Sequence, residues 1–277
     1  ALGVEAARVG LVGPAGRRLE ASAALGELRA EDLQAVVLPD PAEARLLAAA
    51  GAGSFAELAG AAELNLQSHR LLALPERLGE LAALQQLLAC HNRIAALPRS
   101  LTRLAALQRL DLSNNRLAEL PEAFGRLAAL LALKLSDNRL AALPESFASL
   151  GALWDLDLSN NQLLALPEGF GRLASLRWLK LDNNKLPRLP ESFGELAELR
   201  LLWASKNRLE ALPAGFGRLA LLEDLWLYGN KLGALPEELE RLTALRDLFL
   251  SLNPFAAPEP ARGRGACARE QRPLAIS

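Results

Sequence analysis

The sequence predicts an α/β fold: a curved, right-handed solenoid of stacked coils, with a parallel β-sheet on its concave side and an N-terminal capping region. Three observations carry this. First, the skeleton of residues 107–130, LQRLDLSNNRLAELPEAFGRLAAL, returns every 23 residues from Leu130, Leu153, Leu176, Leu199 and Leu222. It also fits upstream from Leu84 and, with departures, from Ala61, and a half-unit starts at Leu245. A fixed period of roughly 20 to 50 residues marks units that bury their apolar side chains only by stacking on neighbours. Second, each unit holds leucines alternating with polar residues, the period of a strand with one buried face. Third, an asparagine and a Leu-Pro pair recur at fixed places in the unit.

Within one unit the parts follow in order. Leu110 and Leu112 point inward, while Arg109, Asp111 and Ser113 point outward. Asn114-Asn115-Arg116 ends the strand. The Asn115 carboxamide offers two donors and an acceptor to backbone groups that the turn leaves unpaired. Its counterparts Asn92, Asn138, Asn161, Asn184, Asn207, Asn230 and Asn253 are expected to form a structural ladder through the coils. Leu120 and Pro121 begin the return path, because proline cannot continue a strand ladder. Phe124 and Leu127 then cover the other side of the core. Strands about 4.8 Å apart are narrower than the outer segments, so the sheet lies on the concave side. About nine such units, the last partial, span residues 61–255.

Here the pattern resembles a leucine-rich-repeat protein with 23-residue repeats. The recurrent LPxxF-G-x-L, from Leu166-Pro167 to Leu173 and from Leu212-Pro213 to Leu219, is similar to the intracellular Ras-group type. That type includes scribble-like scaffolds, plant Ras-group proteins and many bacterial proteins. The resemblance implies a protein partner, with small GTPases or their signalling complexes as one partner class.

Residues 1–60 do not follow the repeat and are expected to cap its first coil, which would otherwise expose its core. Residues 7–12 and 33–38 read as short strands, and residues 17–30 and 42–50 as helices, the last ended by Gly51 and Gly53. Phe55, Leu58, Ala61 and Leu64 match the spacing of Phe124, Leu127, Leu130 and Leu133, so half a degenerate unit joins cap to array. VGLVGPAGRR at residues 9–18 has glycines after a strand but lacks the Gly-Lys-Ser/Thr of a phosphate loop. Residues 256–277, rich in Pro, Ala, Gly and Arg, have little to bury and read as a flexible tail.

A net charge of −1 gives no field to draw in nucleic acid or an anionic membrane. No run reaches the 18 or so apolar residues of a membrane span. Leucine-rich-repeat proteins that are secreted commonly carry cysteine clusters at both ends. Here Cys90 and Cys267 lie far apart, and no basic segment followed by an apolar core opens the chain. A reducing, cytoplasmic setting and a monomer are expected.

Candidate chemistry is sparse. His69 occupies the ladder position of the first unit, and His91 is read as an outward neighbour of Cys90. A Cys/His nucleophile or metal site across adjacent coils would need a third orienting group or a fourth ligand, and none stands in register. No catalytic residue, metal ligand or cofactor is assigned, and the chain reads as non-enzymatic.

The outward column of the sheet says more. It runs Asn65, Leu88, Asp111, Lys134, Asp157, Lys180, Trp203, Trp226, Phe249. Alternating signs from Asp111 to Lys180 predict cross-strand attraction. Trp203, Trp226 and Phe249 then stand side by side, with Tyr228 two residues beyond Trp226, Trp178 one coil earlier and Trp154 before the previous strand. Shielding the sheet explains one or two such residues, but not their gathering in the last coils. Exposed aromatic patches mark interaction surfaces, and Trp and Tyr dominate binding hot spots. Trp178, Lys180, Trp203, Trp226, Tyr228 and Phe249 are therefore the expected partner-binding residues, rimmed by Arg177, Arg200, Lys206, Arg246, Glu223, Asp224 and Asp247. Acidic residues among the aromatics disfavour nucleic acid. A non-catalytic scaffold or adaptor is the first reading. The recognition portion of a larger kinase or ubiquitin ligase, and an engineered array, stay open beside it.

Overall fold

The structure, a computed structural model, describes residues 9–12, 34–37 and 40–255. The expected helix at 17–30, most of the glycine segment at 9–18, Cys267 and the tail at 256–277 lie outside the described residues. β1 (Val9–Val12) pairs antiparallel with β2 (Gln34–Val37), Val9 opposite Val37 and Val12 opposite Gln34.

Helix α1 (Pro41–Ala50) begins where the Asp40 carboxylate accepts the Ala42 amide at 2.9 Å, with proline at the position that needs no N–H donor. It stops at Gly51, whose φ of +67° is the left-handed close glycine supplies. Its Leu46 is buried, and Phe55 and Leu58 of the single-turn helix α2 (Phe55–Leu58) join the same core as the repeats. Arg77 of the first coil clamps this segment, 2.7 Å from the Glu43 carboxylate and with its guanidinium 4.6 Å above the Phe55 ring.

Nine three-residue strands follow: β3 (Glu63–Asn65), β4 (Gln86–Leu88), β5 (Arg109–Asp111), β6 (Ala132–Lys134), β7 (Asp155–Asp157), β8 (Trp178–Lys180), β9 (Leu201–Trp203), β10 (Asp224–Trp226) and β11 (Asp247–Phe249). They form one parallel sheet in sequence order. Each residue pairs with its equivalent 23 positions on, as Leu110 does with Leu133. The middle leucine of each strand points into the core, and its two neighbours point out.

The turn after each strand is built twice over. The residue before each ladder asparagine adopts a left-handed backbone, at Asn114, Asp137, Asn160, Asn183 and Gly229 among others. Asparagine, aspartate and glycine tolerate that region best. The asparagine itself then reaches inward. Asn115 Nδ2 donates to the carbonyls of Ala89 in the previous coil (2.9 Å) and of Leu112 and Ser113 in its own, while its Oδ1 accepts the Ile94 amide at 3.0 Å. Asn92, Asn138, Asn161, Asn184, Asn207, Asn230 and Asn253 make the same kinds of bond coil after coil. His69, at the start of the series, is exposed and among the described residues reaches the Gln67 carbonyl alone.

On the opposite side a short 3-10 turn follows each Leu-Pro pair, as at Glu145–Ser149. Phe124, Phe147, Phe170, Phe193 and Phe216 stack there in near-parallel rings, with centroids 5.9 to 6.4 Å apart. That spacing exceeds the roughly 4.8 Å between strands, and this mismatch curves the array with the sheet inside.

The outer segments approach closely because glycine follows the phenylalanine. A Cβ on Gly125 or Gly171 would lie 1.9 Å from the Ser146 or Ser192 carbonyl oxygen of the next coil. In the second coil Thr102 takes this place, and Ala123 faces it. The two outer segments part there, leaving a cavity of about 660 Å³ lined by Arg99, Ser100, Thr102, Ala123 and Arg126 among others.

The last coil is thin. All three residues of β11 are exposed, Leu248 by 40% although it holds the inward position, and Leu252 by 72% with a left-handed φ of +55°. Among the described residues no helix is long and apolar enough to cross a membrane.

Candidate functional site

The outward residues of the sheet form two adjacent columns, fixed by strand register. One places Asp155, Trp178, Leu201, Asp224 and Asp247 on successive strands, and the other Asp157, Lys180, Trp203, Trp226 and Phe249. Outward residues two apart on a strand share a face, so the columns make one surface.

The aromatics on it are in contact. The Trp203 and Trp226 rings stack at 4.6 Å and 17°, and Trp226 meets Phe249 edge-on at 4.9 Å and 64°. Lys180 Nζ lies 4.5 Å above the Trp203 ring, so a cation closes one end of the stack. Trp178 takes the Trp154 ring edge-on at 5.0 Å, and the two border a recess of about 380 Å³ with Ala152, Ser175 and Arg177. Trp178 and Phe249 are 45% and 43% exposed, whereas Lys180, Trp203, Trp226 and Tyr228 are half-buried. Tyr228 follows β10, and its backbone carbonyl accepts the Lys206 amide. The Trp203 indole N–H is covered and has no acceptor among the described residues. A buried, unpaired donor costs about 1–3 kcal/mol, so folding stability alone does not account for tryptophan at this position.

The charges differ from the alternating ladder that the sequence suggested. Among the described residues Asp111, Lys134, Asp157 and Lys180 make no ion pair with one another. Asp111 and Asp157 instead accept the amides of Ser113 and Ser159, each at 3.0 Å in their own turns, while Lys180 turns to Trp203. The attraction is thus replaced by local capping, because an amide two residues on is nearer than a lysine on the next strand. In the rim, Glu223 lies between Arg200 at 2.9 Å and Arg246 at 3.1 Å, and Arg177 reaches Glu198 at 3.5 Å.

Burial pushes up the pKa of Asp155, only partly offset by Lys134 and Lys180. Burial also pushes up Asp182, against the opposing hydrogen bonds from Ser205. Asp182 stands where other coils carry Ser113, Ser159 or Ser205, a departure the sequence displays but that acquires meaning only once its burial is seen. A carboxyl whose native pKa is raised binds its proton more tightly when folded, so its contribution is present below the ordinary aspartate value and is lost as pH rises through the native value. Compared with Asp182→Asn, the wild type should therefore gain relative stability as pH falls from 7 to about 4, measured by paired thermal melts. Parallel pH profiles would contradict the assigned burial.

The remaining candidates are not assembled into a reactive group. Cys90 is buried, not the surface residue its sequence position suggested, as are Ser113, Ser159 and Ser205 at the equivalent place in later coils. Burial and the Asp111 charge push its thiol pKa up, away from the thiolate a nucleophile needs. His91 and His69 are exposed, and no group of three His, Cys, Asp or Glu side chains among the described residues is placed to hold a metal ion.

Comparison with known proteins places the chain. Residues 153–259 match the family described as leucine-rich repeat region, and residues 120–163 and 106–127 match two further leucine-rich-repeat families. A search of curated protein sequences finds no match. Among solved structures it is similar to YopM, a leucine-rich effector protein from Yersinia pestis, at 31% identity and TM-score 0.57 over 70% of this chain and 50% of that one. It is also similar to the ectodomain of the Arabidopsis thaliana membrane receptor kinase GASSHO1/SCHENGEN3, in complex with CASPARIAN STRIP INTEGRITY FACTOR 2. There the identity is 28% and the TM-score 0.55, over 65% of this chain and 26% of the receptor. A plant peptide hormone receptor, RGFR1 in complex with RGF2, matches at 27% identity and TM-score 0.56 over 65% and 34%. The chain thus spans a quarter to half the length of these three. Repeat, ladder and family matches agree that the chain is a leucine-rich-repeat protein.

Proposed function

We propose that this chain is a non-catalytic scaffold that binds a protein partner on the concave face, through Trp178, Lys180, Trp203, Trp226, Tyr228 and Phe249. The observation that carries the reading is the continuous Trp203–Trp226–Phe249 contact on an outward sheet face. Such a contact gives a large, rigid apolar surface with little side-chain entropy left to lose on binding. Two similar structures are receptors in complex with a named ligand, which supports the class of function. Residues 1–60 act as the N-terminal cap, residues 61–255 as the binding array and residues 256–277 as a tail. The 23-residue LPxxF-G-x-L units favour the intracellular Ras-group type, a cytoplasmic setting, and a small GTPase or its signalling complex as partner. The receptor-kinase ectodomain among the similar structures favours a second reading, in which the chain is the recognition part of a larger signalling enzyme.

The test is capture from lysate of the source cell with wild type and with Trp203→Ala/Trp226→Ala. Retention of a protein by the wild type, with at least tenfold less on the double variant, is expected if these are hot-spot residues worth about 2 kcal/mol each. Equal retention by both would show that the aromatics only cover the sheet.

A further inference from the structure

We infer that the aromatic ledge takes a basic segment of its protein partner, a lysine or arginine whose head group meets Asp224 and Asp247 while its methylene stem lies along Trp226 and Phe249. The inference rests on the reading of this face as a protein-binding surface, and it adds the partner's chemistry.

The reason is a charge left over by the fold. Asp224 and Asp247 stand directly opposite each other on β10 and β11. Across the nine strands no other paired position joins two like charges. Like charges set opposite on neighbouring strands destabilise a sheet. Most other carboxylates of this face are answered from within, Asp155 being the exception, with no bonded partner among the described residues. Asp157 and Asp182 accept the Ser159 and Ser205 amides, and Glu223 holds both Arg200 and Arg246. Neither Asp224 nor Asp247 has an ion pair or an amide partner among the described residues. Arg246, the nearest cation in sequence, is engaged on Glu223 at 3.1 Å. Burial raises the Asp224 pKa, and the Asp247 carboxyl, within hydrogen-bond reach beside it, raises it further.

What lies next to the pair completes the fit. Trp226 and Phe249 are two residues further along the same two strands, hence on the same face. Lysine and arginine lay their stems on apolar surface and their heads against carboxylates or aromatic faces. The molecule already does this at the opposite end of the stack, where Lys180 sits over Trp203. Among the described residues the Phe249 end has no such cation, and that is where the Asp224–Asp247 pair stands. A phosphate-bearing partner would be repelled by the same pair.

A library of random twelve-residue peptides displayed on phage, selected on the immobilised chain, tests this. Three forms are used: wild type, Asp224→Asn/Asp247→Asn, and Trp203→Ala/Trp226→Ala. Wild type is expected to enrich peptides carrying Lys or Arg next to apolar residues. The asparagine variant should lose the basic enrichment and bind a wild-type-selected peptide about fivefold more weakly, the upper end for an exposed ion pair. Its melting temperature should not fall, since a repulsion is removed. Apolar enrichment without basic residues, lost in the alanine variant, would overturn the basic partner but keep the protein-binding face. Basic enrichment that survives in the asparagine variant would also overturn it. Recovery unchanged in the alanine variant, or no enrichment at all, would overturn both. Calcium chloride alone raising the melting temperature of the wild type but not of the asparagine variant would make the pair an inorganic cation site instead.

Discussion

Asn161→Leu lowers the stability of the chain by about 3 kcal/mol. The figure follows from what the asparagine leaves behind. The Leu140 amide has Asn161 Oδ1 at 3.0 Å as its acceptor, and a leucine removes it, orphaning a buried N–H. The Leu135 and Leu158 carbonyls lose one donor each but keep a second, from Asn138 and Asn184 respectively. The cost is one full desolvation penalty plus two partial ones. At the end of the array Asn253 makes the same bonds while only half-buried, so water replaces part of the loss, and Asn253→Leu costs visibly less. Chemical denaturation of the two variants measures both numbers. An Asn161→Leu midpoint equal to wild type would show that the ladder contributes nothing net.

Gly171→Ala has an effect of similar size, about 3 kcal/mol, at the upper end for overpacking. One methyl group is added, but its carbon would lie 1.9 Å from the Ser192 carbonyl oxygen and 2.7 Å from the carbonyl carbon, both backbone. No rotamer change relieves that contact, so two coils must separate, with the Phe170–Phe193 stack between them. Where Ala148 stands in the glycine's place, the next coil carries Gly169, and a Cβ added there would lie 3.4 Å from the alanine Cβ. Gly151→Ala, where an added Cβ meets nothing within 4 Å, serves as the control and leaves stability unchanged or slightly raised. A Gly171→Ala protein that melts like wild type would mean the outer segments are looser than the structure has them.

These two positions show what was readable in the sequence. A repeat without insertions fixes register, so the identity of every strand neighbour follows from a spacing of 23. The inward leucines and the asparagine turn follow from period and hydrogen-bonding capacity. The outward face is less legible, because its side chains choose partners by local reach. Asp111 and Asp157 face lysines in register yet bond the amides of their own turns. Trp203 and Trp226 are outward by position but half-buried by each other, so exposure cannot be read from parity alone. Cys90 shows the same limit. Its place after the strand suggests the surface, while the structure buries it along with Ser113 and Ser159 at the same place in later coils.

The exposure of β11 has a kinetic consequence. Each coil is held only by its neighbours, and among the described residues β11 has a neighbour on one side, with Leu248 and Leu252 partly in water. Opening this exposed strand costs less than opening a buried middle one, and amide protons of residues 247–249 should exchange with solvent faster than those of residues 155–157. The strand that opens also carries Phe249 and Asp247. Anything that grips this ledge thus draws on the same free energy that holds the strand closed, and slowed exchange at residues 247–249 becomes a label-free report of occupancy.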